Sequence, residues 1–195
     1  MIGSLPTAYL IVLVKHNKDI RKEGSGNVGT LNAFTVSKSK LSGIMVLLID
    51  LIKGALPIIL MLIIFKFSYS LIIAGSVALI AGHNYPVWLK FKGGRGLATS
   101  AGIFLVLNYW ILLGWCAAWL ICFAFKRKVL IANTFATLFI PVTVYLVVKF
   151  DWMKVNLPFV NDINCFVVGS VLITLVILTR NLEVFKNILI NKKES

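Results

Sequence analysis

The feature that most constrains this chain is a series of long apolar stretches, each bounded by lysine or arginine. The longest, Leu97–Phe125, contains no charged residue and is followed directly by Lys126, Arg127 and Lys128. A helix of roughly 20 apolar residues crosses the hydrocarbon core of a bilayer. Since hydrophobic residues make up 59% of the chain and charged residues only 14%, the composition excludes a soluble domain. The chain is therefore expected to be an integral membrane protein.

The apolar pattern predicts an all-α fold, a polytopic membrane helix bundle of about seven spans in one domain, residues 1–195. The predicted spans are Met1–Val14, Leu41–Phe65, Phe67–Leu89 with a break near Gly82–Pro86, two helices within Leu97–Phe125, Val129–Val148 and Ile163–Thr179. Leu97–Phe125 is too long for one span and basic at both ends. We therefore expect a hairpin that turns near Asn108 and Tyr109; a re-entrant hairpin, the alternative, leaves five spans.

Lysine and arginine are distributed unequally between the two sides of this predicted bundle. Most of them fall in the loops 15–40, 90–96 and 126–128 and in the tail 180–195. Because such loops are retained in the cytoplasm, the N-terminus is predicted to lie outside and the C-terminus inside. The net charge of +13 then reflects topology and contacts with anionic membrane lipids, so we expect no nucleic-acid partner.

The first loop contains the run Gly24-Ser25-Gly26-Asn27-Val28-Gly29, followed by Asn32. Glycines allow a close backbone approach, and successive N–H groups in such a turn can cradle an anion. Short side-chain donors lie around it, and cations flank it on both sides: Lys15, Lys18, Arg21, Lys22, Lys38 and Lys40. The loop is interpreted as a seat for phosphate. The alternative is a polar connection that uses glycine only to turn.

The second loop alternates cations with glycines: Lys90, Lys92, Gly93, Gly94, Arg95 and Gly96. Arg95 precedes a predicted helix, whose N-terminus also favours an anion. This loop is interpreted as a second phosphate seat, although the preference for positive charge in the cytoplasm would alone explain its cations.

A few polar residues lie inside or at the ends of the spans. Asp50 and Lys53, three residues apart, share a helix face and form either a structural ion pair or, through Lys53, part of a polar pocket under the first loop. His83 is either a ligand or acid–base group or a structural histidine, and His16 is expected to be solvated. The three cysteines lie in apolar stretches without metal-ligand spacing, so no metal or other cofactor is expected.

With both loops considered, the chain resembles the bacterial acyl-phosphate:glycerol-3-phosphate acyltransferases of the PlsY family. The first family motif is similar to residues 19–29 with Asn32, and continues through Gly43, Asp50, Lys53, Gly54 and Pro57. The second is similar to Gly82, His83, Pro86 and residues 91–96, followed by Ala98 and Thr99. The similarity spans nearly the whole chain, in the same order as in the family.

The resemblance implies transfer of a fatty acyl group from acyl phosphate to glycerol 3-phosphate, giving lysophosphatidic acid for phospholipid synthesis. The reaction would occur at the cytoplasmic face of the bacterial cell membrane, without a side-chain nucleophile, and the phosphate of the donor would take the hydroxyl proton. Residues expected at the reacting groups are Ser25, Asn27 and Arg95. Those expected to bind substrate or phosphate are Gly24, Gly26, Gly29, Asn32, Lys38, Lys53, His83, Lys92, Gly93, Gly94 and Gly96.

The sequence departs from the family at several positions. Leu31 and Thr35 stand where the family usually has threonine and arginine, and Arg95 stands where it has lysine. The third motif best matches Asn181–Asn187, with Val184 in place of an asparagine. An active enzyme would use Lys38, Lys40 or Arg180 in place of the missing arginine. The alternative is a non-catalytic relative that binds lipid phosphates or a partner of lipid synthesis.

Overall fold

The computed structural model describes residues 1–152 and 162–191, with only the backbone of residues 183–191. Every regular element in these residues is a helix, which confirms the all-α prediction. The chain forms two compact units, Met1–Ile103 and Phe104–Ser195. The first contains both glycine loops.

The first unit begins with a 3-10 turn at Ile2–Ser4 and contains most of the short elements. Its helices are α1 (Thr7–His16), α2 (Thr30–Ser37), α3 (Lys40–Ile59, continued by a π-helical segment at Leu60–Ile64), α4 (Tyr69–Asn84) and, after a 3-10 turn at Val87–Leu89, the start of α5 (Leu97–Leu107). The second unit holds the end of α5 and then α6 (Tyr109–Lys126), α7 (Val129–Lys149) and α8 (Ile163–Asn191).

Five helical stretches in the described residues are long and apolar enough to cross a membrane. They are Lys40–Ile64, Tyr69–Leu89, Tyr109–Lys126, Val129–Lys149 and Ile163–Leu182, whereas Ile2–His16 and Leu97–Leu107 are apolar but shorter. Seven spans therefore remain a prediction. The expected break in the third span lies later than Gly82, because α4 continues through Asn84.

Helix α1 and the residues just before it lie antiparallel to the part of α3 between Ser42 and Lys53. At one end the Lys53 ammonium donates to the carbonyl oxygen of Leu5 at 3.1 Å. At the other, Nε2 of His16 lies 2.8 Å from Oγ of Ser42, so the prediction of a merely solvated His16 is wrong. The order of the two contacts is opposite in the two segments, as expected for antiparallel neighbours, although Leu5 precedes the first residue of α1.

Helix α3 is shaped by residues at its start, middle and end. The Ser39 hydroxyl caps its N-terminus by accepting from the Ser42 N–H, which satisfies one of the unpaired helix-end donors. Pro57 lacks an N–H, and the π-helical segment follows within one turn. Gly54 lies against the backbone of Thr99, and Gly102 against that of Leu51. Small residues at both positions let α3 and α5 approach closely, as is common between helices in membranes.

The second unit is held together by polar contacts between apolar helices. The side chain of Asn108 interrupts the apolar stretch and caps α6 by accepting from the Trp110 N–H, at the position predicted for the turn. Indole N–H groups of α6 donate to α7, from Trp115 to Thr137 at 3.3 Å and from Trp119 to Asn133 at 2.7 Å. Such hydrogen bonds satisfy polar groups that lipid cannot.

Candidate active site

Asn32 organises the first glycine loop. It is 4% exposed, and its Nδ2 donates to the carbonyl oxygens of Ile20 and Glu23, both at 3.1 Å. Its Oδ1 accepts from the Ser25 N–H at 2.9 Å. Both amide N–H donors are thereby used, so Asn32 shapes the loop, and the expectation that it offers a donor to phosphate is wrong.

Two of the loop's glycines have left-handed backbone conformations. Gly24 has φ +59° and Gly26 has φ +68°, a region that glycine adopts without steric cost. Gly24 also lies directly on the amide of Asn32, where a Cβ would collide with Oδ1. The predicted need for glycine is therefore explained at both positions.

Several of the flanking cations are occupied within the loop. Lys18 pairs with Glu23 at 3.1 Å and also donates to the carbonyl oxygen of Val36. Arg21 forms a bidentate pair with Asp19 and lies 4.7 Å from the centre of the Tyr9 ring. Hydrogen bonding from the Arg21 guanidinium lowers the pKa of Asp19 to about 2. These two cations stabilise the loop, whereas Lys22, Lys38 and Lys40 are exposed.

Residues 15–40 are predicted to form a loop without regular structure. The structure differs, because residues 30–37 form the helix α2. Gly29 precedes this helix, and no side chain caps its N-terminus. The first N–H groups of a helix have no partner within it, and those of Thr30 and Leu31 directly follow the glycine run in sequence. Asn27 lies beside them with a buried Oδ1 that has no hydrogen-bond partner in the described residues. Ser25 is exposed at the same turn.

Lys38 does not lie on the face of α2 that carries Thr35. It ends the helix with φ +54°, whereas the Thr35 hydroxyl donates to the carbonyl oxygen of Leu31 within the helix at 2.9 Å. A lysine at position 38 therefore does not substitute for an arginine side chain on the helix at position 35.

The second glycine loop is attached to the end of α4 by its own backbone. The Gly93 N–H donates to the Asn84 carbonyl at 3.1 Å, and the Gly94 N–H to the His83 carbonyl at 3.2 Å. These bonds satisfy carbonyls at a helix C-terminus, so the two N–H groups are not a cradle for an anion. Glycine is required here for close approach: a Cβ at Gly93 would collide with the His83 carbonyl oxygen, and one at Gly94 with the His83 ring.

The remaining groups of the second loop suit phosphate better. Lys90 and Lys92 are exposed, and Arg95 is partly exposed. Arg95 stands two residues before Leu97, the first residue of α5, and Gly96 between them has φ +76°. The guanidinium and the N-terminus of α5 are thus neighbours in sequence, as predicted, and both favour an anion.

A buried polar cluster lies between α3, α4 and α5. Asp50 and Lys53, 2% and 5% exposed, form an ion pair at 2.8 Å, while Ile52 on the same helix is 52% exposed. Nδ1 of His83 lies 3.0 Å from the Lys53 ammonium and 3.3 Å from Oγ1 of Thr99. The predicted ion pair is confirmed. Lys53 contacts α4 and the N-terminal segment, however, and not the first loop.

The two glycine loops share one hydrophobic cluster. Val28 of the first loop and Leu89, immediately before the second, are both 4% exposed or less and belong to a buried group that also contains α1, α2 and α3 residues. The remaining members are Ala8, Val12, Ile20, Ala33, Val36 and Val46. Both loops are therefore joined to the same buried core of the first unit.

Part of the site could not be read from the sequence. The carbonyl oxygen of Leu5 and the hydroxyl of Thr99 join the cluster around Lys53 and His83, and no sequence signal marks a carbonyl as a partner. The third motif from Glu183 onward, including Val184, falls among residues whose side chains are not described. Among the described residues, no group of His, Cys, Asp and Glu side chains could hold a metal ion.

Comparisons with known proteins agree with this architecture. The family model described as glycerol-3-phosphate acyltransferase matches residues 1–191. The chain belongs to this family. A glycerol-3-phosphate acyltransferase of Syntrophotalea carbinolica is 38% identical over 145 residues, covering 74% of each chain. One from Ehrlichia chaffeensis is 31% identical over 173 residues, covering 89% of this chain and 82% of the relative.

Solved structures of this acyltransferase family share the fold. PlsY (YgiH), an integral membrane glycerol 3-phosphate acyltransferase, is 26% identical to this chain. In its glycerol 3-phosphate form the TM-score is 0.77, with 97% of this chain and 88% of that one covered. In its lysophosphatidic acid form the TM-score is 0.75. The resemblance to the PlsY family and the prediction of a glycerol-3-phosphate acyltransferase in phospholipid synthesis are confirmed.

Proposed function

We propose that the acyl donor is acyl phosphate and that the chain transfers its acyl group to the 1-hydroxyl of glycerol 3-phosphate. The observation that supports this proposal is the buried cluster shared by Val28 and Leu89, because it joins two cation-bearing glycine loops within the first unit. Both substrates carry a phosphate, and one carries a long apolar chain. Two phosphate seats on an apolar helical unit match this pair.

The first seat consists of the N-terminus of α2 and the turn before it. Uncapped N–H groups at a helix start, together with the helix dipole, stabilise a bound phosphate. The exposed hydroxyl of Ser25 and the side-chain amide of Asn27 lie at the same turn and add donors. Gly24, Gly26 and Gly29 allow the backbone to follow the anion, while Asn32 keeps the turn in shape.

The second seat consists of the Arg95 guanidinium, the start of α5 and the exposed Lys92. A guanidinium can donate two parallel hydrogen bonds to phosphate oxygens. Gly93 and Gly94 hold this segment against α4 through their N–H groups. Arg95 therefore supplies charge from a loop with a fixed backbone, which favours electrostatic stabilisation of the transition state.

The reaction follows from these groups without a covalent enzyme intermediate. The 1-hydroxyl oxygen of glycerol 3-phosphate attacks the acyl carbonyl carbon, and the bond from that carbon to the phosphate oxygen breaks. The departing phosphate takes the hydroxyl proton, giving lysophosphatidic acid and inorganic phosphate. In the described residues no histidine or carboxylate hydrogen-bonds to Oγ of Ser25, so this hydroxyl lacks the adjacent base of a nucleophile. Positioning of two substrates and stabilisation of charge provide the catalysis.

The site lies on the cytoplasmic face of the bacterial cell membrane in this proposal. The positive loops support that orientation, and the apolar helices provide a surface for the acyl chain. The donor is tested with purified protein, labelled glycerol 3-phosphate and either acyl phosphate or acyl-CoA. We expect lysophosphatidic acid only with acyl phosphate. Product formed equally from acyl-CoA would refute the proposed donor. Phosphate binding without product from either donor would instead indicate a non-catalytic relative.

A further inference from the structure

The Lys53 ammonium contacts three polar groups inside the protein. Its three partners are Oδ1 of Asp50 at 2.8 Å, the carbonyl oxygen of Leu5 at 3.1 Å and Nδ1 of His83 at 3.0 Å. An ammonium has three N–H donors and no acceptor. The contacts with Leu5 and His83 are hydrogen bonds, the contact with Asp50 is an ion pair, and the side chain is only 5% exposed.

This coordination determines where the proton of His83 lies. Because the ammonium can only donate, Nδ1 of His83 must accept through its lone pair. A proton on Nδ1 would place an N–H against the N–H of a cation. The neutral imidazole therefore carries its proton on Nε2, and Asp50, 3.8 Å from Nδ1, acts on the ring through Lys53.

The Nε2 atom lies on the side of the ring that faces the second glycine loop. A Cβ added to Gly94 would collide with Nε2, so the ring edge lies against the backbone of that residue. No hydrogen bond from Nε2 to another described residue is present, although the ring is only 8% exposed. Nε2 is nevertheless not among the fully buried atoms that lack a partner, so a ligand at the loop could reach it and accept its proton in a hydrogen bond.

We propose that His83 donates its Nε2–H to an oxygen of a substrate phosphate at the second loop, and that Lys53 is the positioning residue that fixes this tautomer. This inference rests on the proposed function for the identity of the phosphate. Asp50 keeps Lys53 charged and oriented. Gly94 lets the loop backbone pack directly against the ring edge, because a Cβ there would collide with Nε2.

The placement of the ion pair favours this role over a purely structural one. Charges inside a membrane protein are expensive and usually serve a function, and a buried ion pair alone adds little to stability. A structural pair would not require His83. Here the ammonium also donates to Nδ1, and a hydrogen bond to one ring nitrogen is what fixes the tautomer of a histidine.

The tautomer can be measured directly by nitrogen NMR on protein labelled with 15N-histidine. The chain has only two histidines, His16 and His83, and a His16→Gln variant assigns the spectrum. We expect His83 to be protonated on Nε2 and unprotonated on Nδ1. In the double variant Asp50→Asn with Lys53→Met, which avoids an unpaired carboxylate, we expect a mixture of tautomers. An Nδ1–H tautomer or a fixed imidazolium in the unsubstituted protein would overturn the proposal.

Activity tests the donor with a matched pair of substitutions. The amide nitrogen of glutamine can reach the position of Nε2, whereas that of asparagine corresponds to Nδ1. His83→Gln should retain most of kcat/KM. His83→Asn should lose about tenfold to a hundredfold, as expected for a hydrogen bond to a charged group. Equal loss in both folded variants, or a better asparagine variant, would refute the role of Nε2.

The two measurements separate this inference from the proposed function. Without any acyl transfer by the unsubstituted protein, the proposed function fails, while the NMR spectrum and binding of glycerol 3-phosphate to the two His83 variants still test the donor. With normal transfer but the wrong tautomer, the proposed function stands and the role of Lys53 and His83 fails.

Discussion

The backbone N–H of Ser25 donates to Oδ1 of Asn32 at 2.9 Å, which links the glycine turn to the first turn of α2. The same amide binds two loop carbonyls through Nδ2. Asn32, a residue expected to bind phosphate, thus supports the loop for which phosphate binding is proposed. Support of this kind sets the geometry of donors around a ligand.

Substitution of Asn32 should therefore reduce stability as well as activity. Asn32→Asp keeps Oδ1 but loses both Nδ2 donors, leaving the Ile20 and Glu23 carbonyls unpaired. We expect a decrease of about 2 kcal/mol or more in the free energy of unfolding, measured by thermal or denaturant unfolding in detergent. Thr35→Val on the exposed face of α2 is the control and should change stability much less. Equal stability of Asn32→Asp and the unsubstituted protein would contradict the supporting role.

Arg95 should matter for catalysis without affecting the fold. Arg95→Ala removes a charge-assisted contact to phosphate, and kcat/KM should decrease at least about tenfold to a hundredfold. Arg95→Lys should lose less, because the charge remains without the planar fork. Lys90→Ala, in the same loop but farther from α5, is the control for general loss of positive charge. If kcat/KM is unchanged in a folded Arg95→Ala variant, the cations of the second loop serve only to orient the protein in the membrane.

The sidedness of the loops can be tested by labelling single cysteines. The native cysteines Cys116, Cys122 and Cys165 are first replaced by serine. Gly94 is unsuitable as a probe because a side chain there meets His83, but Lys92 and Lys66 are both exposed. We expect Lys92→Cys to react only from the cytoplasm and Lys66→Cys only from outside. Reaction of both from one side would refute the predicted topology.

Thr35 tests whether the missing arginine limits binding. Thr35 is exposed on α2, and its hydroxyl bonds only within the helix, so a longer side chain has room. Thr35→Arg should lower KM for glycerol 3-phosphate, and Thr35→Lys should lower it less. Because Lys38 is exposed near the first loop, Lys38→Ala should raise this KM. If KM for glycerol 3-phosphate is unchanged by substitutions at both positions, the alignment of the first motif is wrong.

The long helices could be predicted from the sequence because hydropathy alone determines them. Helices α3, α6, α7 and α8 each begin near a cation or polar residue and continue through an apolar stretch, and the interruption at Asn108 was placed correctly. The sequence does not predict helix α2, because Thr30–Ser37 is short, rich in β-branched and polar residues, and embedded in a polar loop. It forms where Asn32 and the buried Val36 pack against the rest of the unit.

The site was predictable in composition but not in the assignment of its donors. Spacing along one helix predicts the Asp50–Lys53 pair. The contact of Lys53 with His83, 30 residues later, depends on how α3 and α4 pack. Likewise, the sequence indicates that Gly93 and Gly94 belong to the site, but it does not show that their N–H groups donate to carbonyls at the end of α4. Which N–H groups are used by the protein and which remain for a ligand is a tertiary property.

The most direct test of the account is a phosphorus NMR experiment on purified protein supplied with acyl phosphate and glycerol 3-phosphate. The account predicts that acyl phosphate disappears while lysophosphatidic acid and inorganic phosphate appear in equal amounts, and only when both substrates are present. Inorganic phosphate formed without lysophosphatidic acid, or no change in either substrate, would contradict it.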